Sequence, residues 1–407
     1  MNSRRRWFRV VPLALVIASP AAAQTVEGLS PRTVLIGLGS AAAQATGSPS
    51  SNVGEVIADL VALQVSTAPI GSSAGGFTFV FDSSTRTFRR AASSLGPSFS
   101  ERAITAGAGR ASIGFNYLHS TYTSLDGSKL DDGSLQTIVF RSASGAPLYT
   151  GRMRLDMKSD TLVTFANVAM NDWFDVGIAV PYVRLSLSGS SDLLVQSSGA
   201  LLSPVSGAAS SAGFGDIALR AKARVFKQEG GGFAIGIDAR VPTGDKESLI
   251  GSGVARTLVS GIWSATHGRF LPHASGGFEY WANPFEVFDP VTNKVAETGR
   301  HALVYDGGVE FAASDRLTIN GELLGRSLQD GAALDFAVIQ QIPNPQGIAT
   351  SAIARATATT RNQVTAAFGV KWNFAGSALI SASVLLPMQD IGLRARITPV
   401  IGIDWGF

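Results

Sequence analysis

Beyond about residue 108, apolar and polar side chains alternate with a period of two, the spacing of a strand with unlike faces. In 213–227, Ile217, Leu219, Ala221, Ala223 and Val225 share one face and Asp216, Arg220, Lys222 and Arg224 the other. Phe233, Ile235, Ile237 and Val241 oppose Asp238 and Arg240, and Met153, Leu155 and Met157 oppose Arg152, Arg154, Asp156 and Lys158. Leu317, Ile319 and Leu323 stand against Arg316, Thr318, Asn320, Glu322 and Arg326. Val364, Phe368, Val370, Trp372 and Phe374 stand against Arg361, Gln363, Thr365, Lys371 and Asn373. At the carboxy-terminus, Ala395, Ile397, Pro399, Ile401, Ile403, Trp405 and Phe407 alternate with Arg394, Arg396, Thr398, Val400, Gly402, Asp404 and Gly406. The stretch 256–267 sorts poorly, with Leu258, Val259, Ile262 and Trp263 on both faces, and a bulge is expected there.

The turns between these segments fall into two kinds. Short ones lie at 171–172, 228–231, 268–271, 314–315 and 375–377, and long ones at 124–149, 189–211, 242–255, 282–299 and 327–360. They alternate strictly, as in an antiparallel barrel whose two ends face different compartments. The prediction is an all-β fold: a transmembrane antiparallel β-barrel of about twelve strands, at 108–123, 150–170, 173–188, 213–227, 231–241, 256–267, 271–281, 300–313, 316–326, 361–374, 378–387 and 392–407. A hairpin within 75–90 would raise the count to fourteen. An edge strand of a soluble β-protein remains the alternative reading of the terminal segment taken alone. A lipid-facing Arg or Lys costs roughly 2–4 kcal/mol at the bilayer midplane, so the charged faces are assigned to the lumen.

The first residues alter the picture. Arg4, Arg5, Arg6 and Arg9 precede an apolar run from Val10 to Ala18 and the small residues Ala21, Ala22 and Ala23, the layout of a secretory leader over 1–23 with the mature chain starting at Gln24. Arg5, Arg6, Trp7 and Phe8 loosely match the twin-arginine pattern, but the general secretory route suits a barrel that must arrive unfolded. Residues 24–107 form a separate amino-terminal segment. Asn52, Val53, Gly54 and Glu55 resemble a capping box, and Val53, Ile57, Leu60, Val61 and Gln64 follow helical spacing, which predicts a short helix over 53–65. That segment either plugs the lumen or lies beneath the barrel. Residues 108–407 form the barrel.

Charge and composition remove several classes. The net charge of +3 includes the four leader arginines and leaves no basic stripe for nucleic acid. There is no cysteine, hence no disulfide framework or thiolate metal site. His119 and Ser120 point to opposite faces of one strand, and His267, His273 and His301 lack metal-ligand spacing. No catalytic, cofactor or metal residues are assigned, and Gly213–Gly215 and Gly251–Gly253 read as bends or loop tips.

The pore-lining candidates are Arg152, Arg154, Lys158, Asp216, Arg220, Lys222, Arg224, Asp238, Arg240, Glu310, Arg316, Glu322, Arg361, Lys371, Arg394 and Arg396, with Asp175, Asp306 and Asp404 adding acids. They either orient a solute or pair into a ladder that fills the barrel. Trp173, Phe174, Tyr182, Tyr280, Trp372, Phe374, Trp405 and Phe407 sit near strand ends, where amphipathic rings suit the membrane interfaces; the inward Trp281 could instead touch a substrate ring.

Two resemblances follow from these residues. The terminal strand closing on Trp405 and Phe407 resembles the signal read by the barrel-assembly machinery of Gram-negative outer membranes. The motifs GFGDIALRAKARVF and GGFAIGIDARVPTGDKESLIGSG within 213–253, LGPSFSERAITAGAGRASIGFNY at 95–117 and WFDVGIAVPYV at 173–183 resemble the family named for the meta-pathway of phenol degradation, outer-membrane proteins described as transporters. The even strand count places both termini in the periplasm and a monomer in outer-membrane lipid is the default state, while the resemblance implies passage of small hydrophobic or aromatic solutes. A surface adhesin or structural anchor acting through the long loops is the competing expectation.

Overall fold

A computed structural model describes residues 24–26, 29–46, 53–72, 79–82, 87–90, 92–228, 231–283, 285–289, 294–299, 301–344 and 347–407. The expected leader lies outside them. Twelve staves close into one antiparallel barrel. In chain order they are Ala111–Leu125, Pro147–Asn171, Phe174–Val195, a broken stave made of Leu201–Phe214 and Ile217–Gln228, then Gly231–Val241, Arg256–Ser264, Phe270–Trp281, His301–Ser314, Leu317–Asn344, Gly347–Asn373, Ala378–Pro387, and a second broken stave of Leu393–Ala395 and Thr398–Gly406. The last stave closes on the first, with Gly402 opposite Asn116. Phe79–Asp82 and Thr87–Arg90 pair only with each other, so the hairpin expected within 75–90 adds no stave to the barrel.

The outer wall carries a band of exposed apolar side chains. Leu323 (54% exposed), Phe368 (55%) and Ile401 (61%) are typical, and Ile178, Leu219, Phe233, Ile235, Ile237, Val259, Phe278, Leu303, Val309 and Val370 continue the band around the wall. No water-soluble surface of this size stays so apolar. Aromatic rings mark its edges: on Phe270–Trp281, Phe270 and Tyr280 are ten residues apart, which at about 3.3 Å per residue and a tilt of about 40° spans roughly 25 Å, the height of a lipid-facing band.

The long connections are structured. Leu317–Asn344 and Gly347–Asn373 continue as one paired ribbon through 327–360, and Leu135–Arg141 pairs with both Pro147–Asn171 and Gly347–Asn373. Residues 189–211 likewise continue the Phe174–Val195 and Leu201–Phe214 strands, and Phe285–Asp289 pairs with Lys294–Thr298. These segments, expected as loops, are therefore largely strand. The expected bulge in 256–267 is absent: Arg256–Ser264 keeps an unbroken register with both neighbours. Its two faces are apolar because Leu258 and Ile262 meet apolar contents inside, while Val259 and Trp263 face outward.

Those contents are the amino-terminal chain. Helix α1 (Pro31–Ala45) starts where Ser30 accepts a hydrogen bond from the Thr33 amide and Pro31 presets the first turn. Helix α2 (Val53–Ser66) matches the expected helix; Asn52 of the expected capping box lies outside the described residues. The helices cross at glycines: a Cβ on Gly39 would stand 2.5 Å from the Gly54 nitrogen, and one on Gly54 2.4 Å from the Ile36 Cα. Their apolar faces, with Leu35, Leu38, Ile57 and Val61, pack inside the long-connection end against Met153, Leu155, Met157, Leu185, Leu187, Leu249 and Ile250.

This packing corrects the facing of 150–158. Odd-numbered residues of Pro147–Asn171 point inward along its whole length, but the chemistry of the outer face changes near residue 160. Below that point the outer face meets lipid through Leu162 and Val168. Above it the strand has left the band, so the inner Met153, Leu155 and Met157 meet the helices while the outer face carries Arg152, Arg154, Asp156 and Lys158 into water.

Candidate functional site

The chain crosses the lumen twice. After α2, residues 67–72 run down the inner wall, where Ile70 packs with Leu118, Val163 and Phe165. At the short-turn end, residues 92–108 form a strap stitched to the staves. Glu322 accepts from three consecutive amides of the strap, Ser98 at 2.6 Å, Phe99 at 3.0 Å and Ser100 at 2.7 Å, and from the Ser100 hydroxyl. The Leu95 amide donates to Thr318 Oγ1 at 2.8 Å, Lys371 donates to the Pro97 carbonyl at 2.6 Å, and Arg102 lies 3.6 Å from Glu310, which also accepts from Ser94. The strap has no hydrophobic period; polar wall side chains that reach its backbone fix its path.

Helix α2 is anchored at its other end. The Ser66 carbonyl, in its last turn, accepts from Arg240 Nη1 at 2.5 Å and Arg256 Nη2 at 3.1 Å. No basic residue of the helix itself lies in that turn, so the wall arginines supply the positive charge that the carbonyl end of a helix attracts. Arg256 also lies 5.4 Å from the centre of the Trp281 ring.

Between α2 and the strap lies a cavity of about 240 Å³. Its ceiling is Gln64 and Thr67, its floor Phe99 and Glu101, and its walls carry apolar Leu258, Ile262 and Leu324 beside many charges. Most charges are paired: Arg220 with Asp238 at 2.9 Å, Lys222 with Glu101 at 3.2 Å, and Arg326 with Glu279 at 2.9 Å. Arg220 also donates to the Gly71 carbonyl at 2.7 Å, fixing the descending segment. Among the described residues, Asp175 Oδ1 and the Asn167 side-chain amide have no hydrogen-bond partner, and two charged groups have no ion-pair partner. Arg394, 5% exposed, has no hydrogen-bond partner for Nε or Nη2, and Asp306 accepts only from Ser275 through one oxygen while the other has no partner.

The predicted lumen residues divide into four groups. Arg220, Lys222, Asp238, Arg240 and Arg394 line the cavity, with Asp175 and Asp306. Glu310, Glu322 and Lys371 point inward but hold the strap. Asp216 fixes the 242–255 connection by accepting from the Gly244 and Ser252 amides and the Ser252 hydroxyl, Arg224 donates to the Gln228 and Gly231 carbonyls of a short turn, and Arg361 pairs with Asp126.

The fourth group is a correction. Arg152, Arg154 and Lys158 face outward above the band, Arg152 and Arg154 paired with Asp192. Arg316 is exposed in the turn after His301–Ser314, because strand pairing resumes only at Leu317. Arg396 is exposed in the break of the last stave: the register shifts between Arg394 and Ala395, turning both inward, and the chain leaves the ladder before Thr398. The inward Trp281 packs with Val254, Ala302 and Leu328 away from the cavity.

Among the cavity residues that escaped the sequence reading are three of the chain's inward ring and acid side chains. Glu279 was recoverable, since it alternates with outward Phe278 and Tyr280, whereas Glu101 and Phe99 sit on the strap, where no period exists. His119 finds in space the acid that sequence spacing did not show, Asp160 at 2.8 Å. Both lie on the outer face with Tyr117, while Ser120 points inward to Thr398.

A closed ladder, an apolar outer band with aromatic edges and a polar inner wall define a transmembrane β-barrel, here filled by its own amino-terminal chain. A model of the family described as "Putative MetA-pathway of phenol degradation" matches residues 127–283, a span that includes the motifs at 173–183 and 213–253. No curated protein sequence matches the chain. Among solved structures, the chain is similar to an outer membrane channel from Pseudomonas putida F1 (10% identity, TM-score 0.47, covering 75% of this chain and 98% of the other). It is also similar to the Ralstonia pickettii toluene transporter TbuX (13% identity, TM-score 0.36, 74% and 90%) and to a Pseudomonas aeruginosa FadL homologue (11% identity, TM-score 0.32, 84% and 97%).

Proposed function

We propose that this protein is an outer-membrane channel of a Gram-negative bacterium for passive uptake of small solutes, with residues 24–107 as its plug. The observation that carries the reading is the cavity: a space of about 240 Å³, part apolar and part charged, held inside the barrel between α2 and the strap. A structural anchor has no need of an amphipathic chamber on its axis. The carboxy-terminus is assigned to the periplasm on the short-turn side, where Phe407 ends the last stave, whereas Gln24 pairs beside Val205 at the long-connection end, so the expectation of two periplasmic termini is not carried over to the amino-terminus. Trp405 and the exposed Phe407 then remain available to the assembly machinery. A monomer is the expected state, because the ladder closes within one chain.

Residues 24–407, refolded in detergent and placed in planar bilayers and in liposomes, test the reading. Discrete conductance steps or entry of a small aromatic solute are expected. A folded barrel that neither conducts nor admits solute, even with the strap released by Glu322→Ala, would refute it and favour an adhesin or anchor.

A further inference from the structure

The charges lining the cavity are not randomly leftover. Pairing removes Arg220, Lys222, Arg240 and Arg326 from availability, since each lies within 4 Å of a carboxylate or donates to a backbone carbonyl. Arg394 differs. Its guanidinium is buried, faces the cavity and has no carboxylate in ion-pair range among the described residues. A buried cation without a partner is costly unless a ligand completes it, and guanidinium geometry favours a planar, two-oxygen anion. Arg394 lies on the same inward row as Val400 and Asp404, beside the register shift before Ala395. On the same cavity Asp306 offers the opposite need, a carboxylate oxygen with no donor.

The same lining also carries apolar Ile70, Phe99, Leu258, Ile262 and Leu324. Size narrows the choice further. An apolar cavity of about 150 Å³ can hold one benzene, and drug-sized ligands fill about 300–1,000 Å³, so a chamber of about 240 Å³ suits a single substituted ring.

We infer that the cavity is a binding site for a small organic carboxylate of single-ring size, its carboxylate on Arg394 and a hydroxyl or amine donating to Asp306. This rests on the channel reading and names its solute class: a polar acid with an apolar body rather than a bare hydrocarbon. The ring takes the apolar lining, and the two unpartnered wall groups select its substituents.

The test uses the folded barrel of residues 24–407 in detergent, with 4-hydroxybenzoate, the neutral 4-hydroxybenzyl alcohol and toluene as calorimetric probes, and liposome uptake of the same three. The acid is expected to bind at least tenfold more tightly than the alcohol. Arg394→Gln should erase that preference and leave alcohol binding within about threefold, Arg394→Lys should restore part of it, and Asp306→Asn should weaken the two hydroxylated probes relative to toluene. Heat-modifiable gel mobility checks that each variant is folded; if Arg394→Gln does not fold, the Arg394→Lys and Asp306→Asn comparisons decide. Equal binding of acid and alcohol by the native barrel, preferred binding of toluene, or loss of all three probes together in Arg394→Gln would overturn the assignment. The two readings fail separately: acid-selective binding without uptake would keep this site and sink the channel, whereas uptake of all three without preference would keep the channel and sink this site.

Discussion

Glu322 holds the strap by its backbone, so its removal should loosen one local segment and leave the barrel closed. In Glu322→Ala, the amides of Ser98, Phe99 and Ser100 lose their common acceptor and the Ser100 hydroxyl loses its own. Hydrogen bonds to a charged group contribute about 1.5–3 kcal/mol each, so three amides sum to about 4.5 kcal/mol at the low end, and water entering the vacated space offsets part of this. A net loss of about 3 kcal/mol corresponds to roughly a hundredfold rise in the local opening constant. Glu322→Gln keeps one acceptor oxygen and should fall between. Hydrogen–deuterium exchange of peptides covering 95–105 in detergent reads this directly, with peptides from Gly231–Val241 as an internal control. Single-channel recording of the same proteins should show larger or more frequent steps. If exchange over 98–100 in Glu322→Ala stays within about threefold of the parent, the carboxylate is not what holds the strap and the reasoning fails.

Other outcomes follow from the same geometry. Leu323→Arg, on the lipid face, should lower unfolding stability in liposomes by about 2–4 kcal/mol, whereas Arg154→Ala, on the outer face above the band, should change it by no more than about 1 kcal/mol and leave conductance intact; equal effects would contradict the reversal of polarity along Pro147–Asn171. Gly54→Leu should push α2 off α1 at an overpacking cost of about 1–3 kcal/mol, seen as faster proteolysis of the 31–66 region in a barrel that still shows heat-modifiable mobility; unchanged proteolysis would refute the close crossing. Replacing both Arg240 and Arg256 by Gln should free the carbonyl end of α2 and raise exchange at Val65 and Ser66, while one replacement alone should do little because the other guanidinium still reaches Ser66.

Much of the barrel was legible because lipid and lumen impose opposite chemistry on alternate residues. Strand Ile217–Gln228 shows this cleanly: its outward apolar row and inward Arg220, Lys222 and Arg224 fall where alternation places them. The same rule misplaced Arg152, Arg154 and Lys158, because alternation fixes which residues share a face but not what that face meets. Once the strand rises past the membrane, water replaces lipid outside and helices replace water inside. Helix α1 escaped notice although Ser30 and Pro31 mark its start, since its Ala- and Gly-rich middle offers little amphipathic contrast. The cavity was half legible. Its wall charges come from staves, but Phe99 and Glu101 are brought there by the strap, whose course depends on distant partners such as Glu322 and Lys371. Only folding joins residues more than two hundred positions apart.

The path of the amino-terminal chain constrains the order in which the molecule can be made. Its helices occupy one mouth of the barrel and its strap the other, and the strap runs directly into the first stave. A segment passing along the whole axis is far easier to enclose than to thread afterwards. The seam between Ala111–Leu125 and Thr398–Gly406 is therefore expected to zip last, around cargo already in position, and the first and last staves meet only when the molecule has wrapped itself about its own beginning.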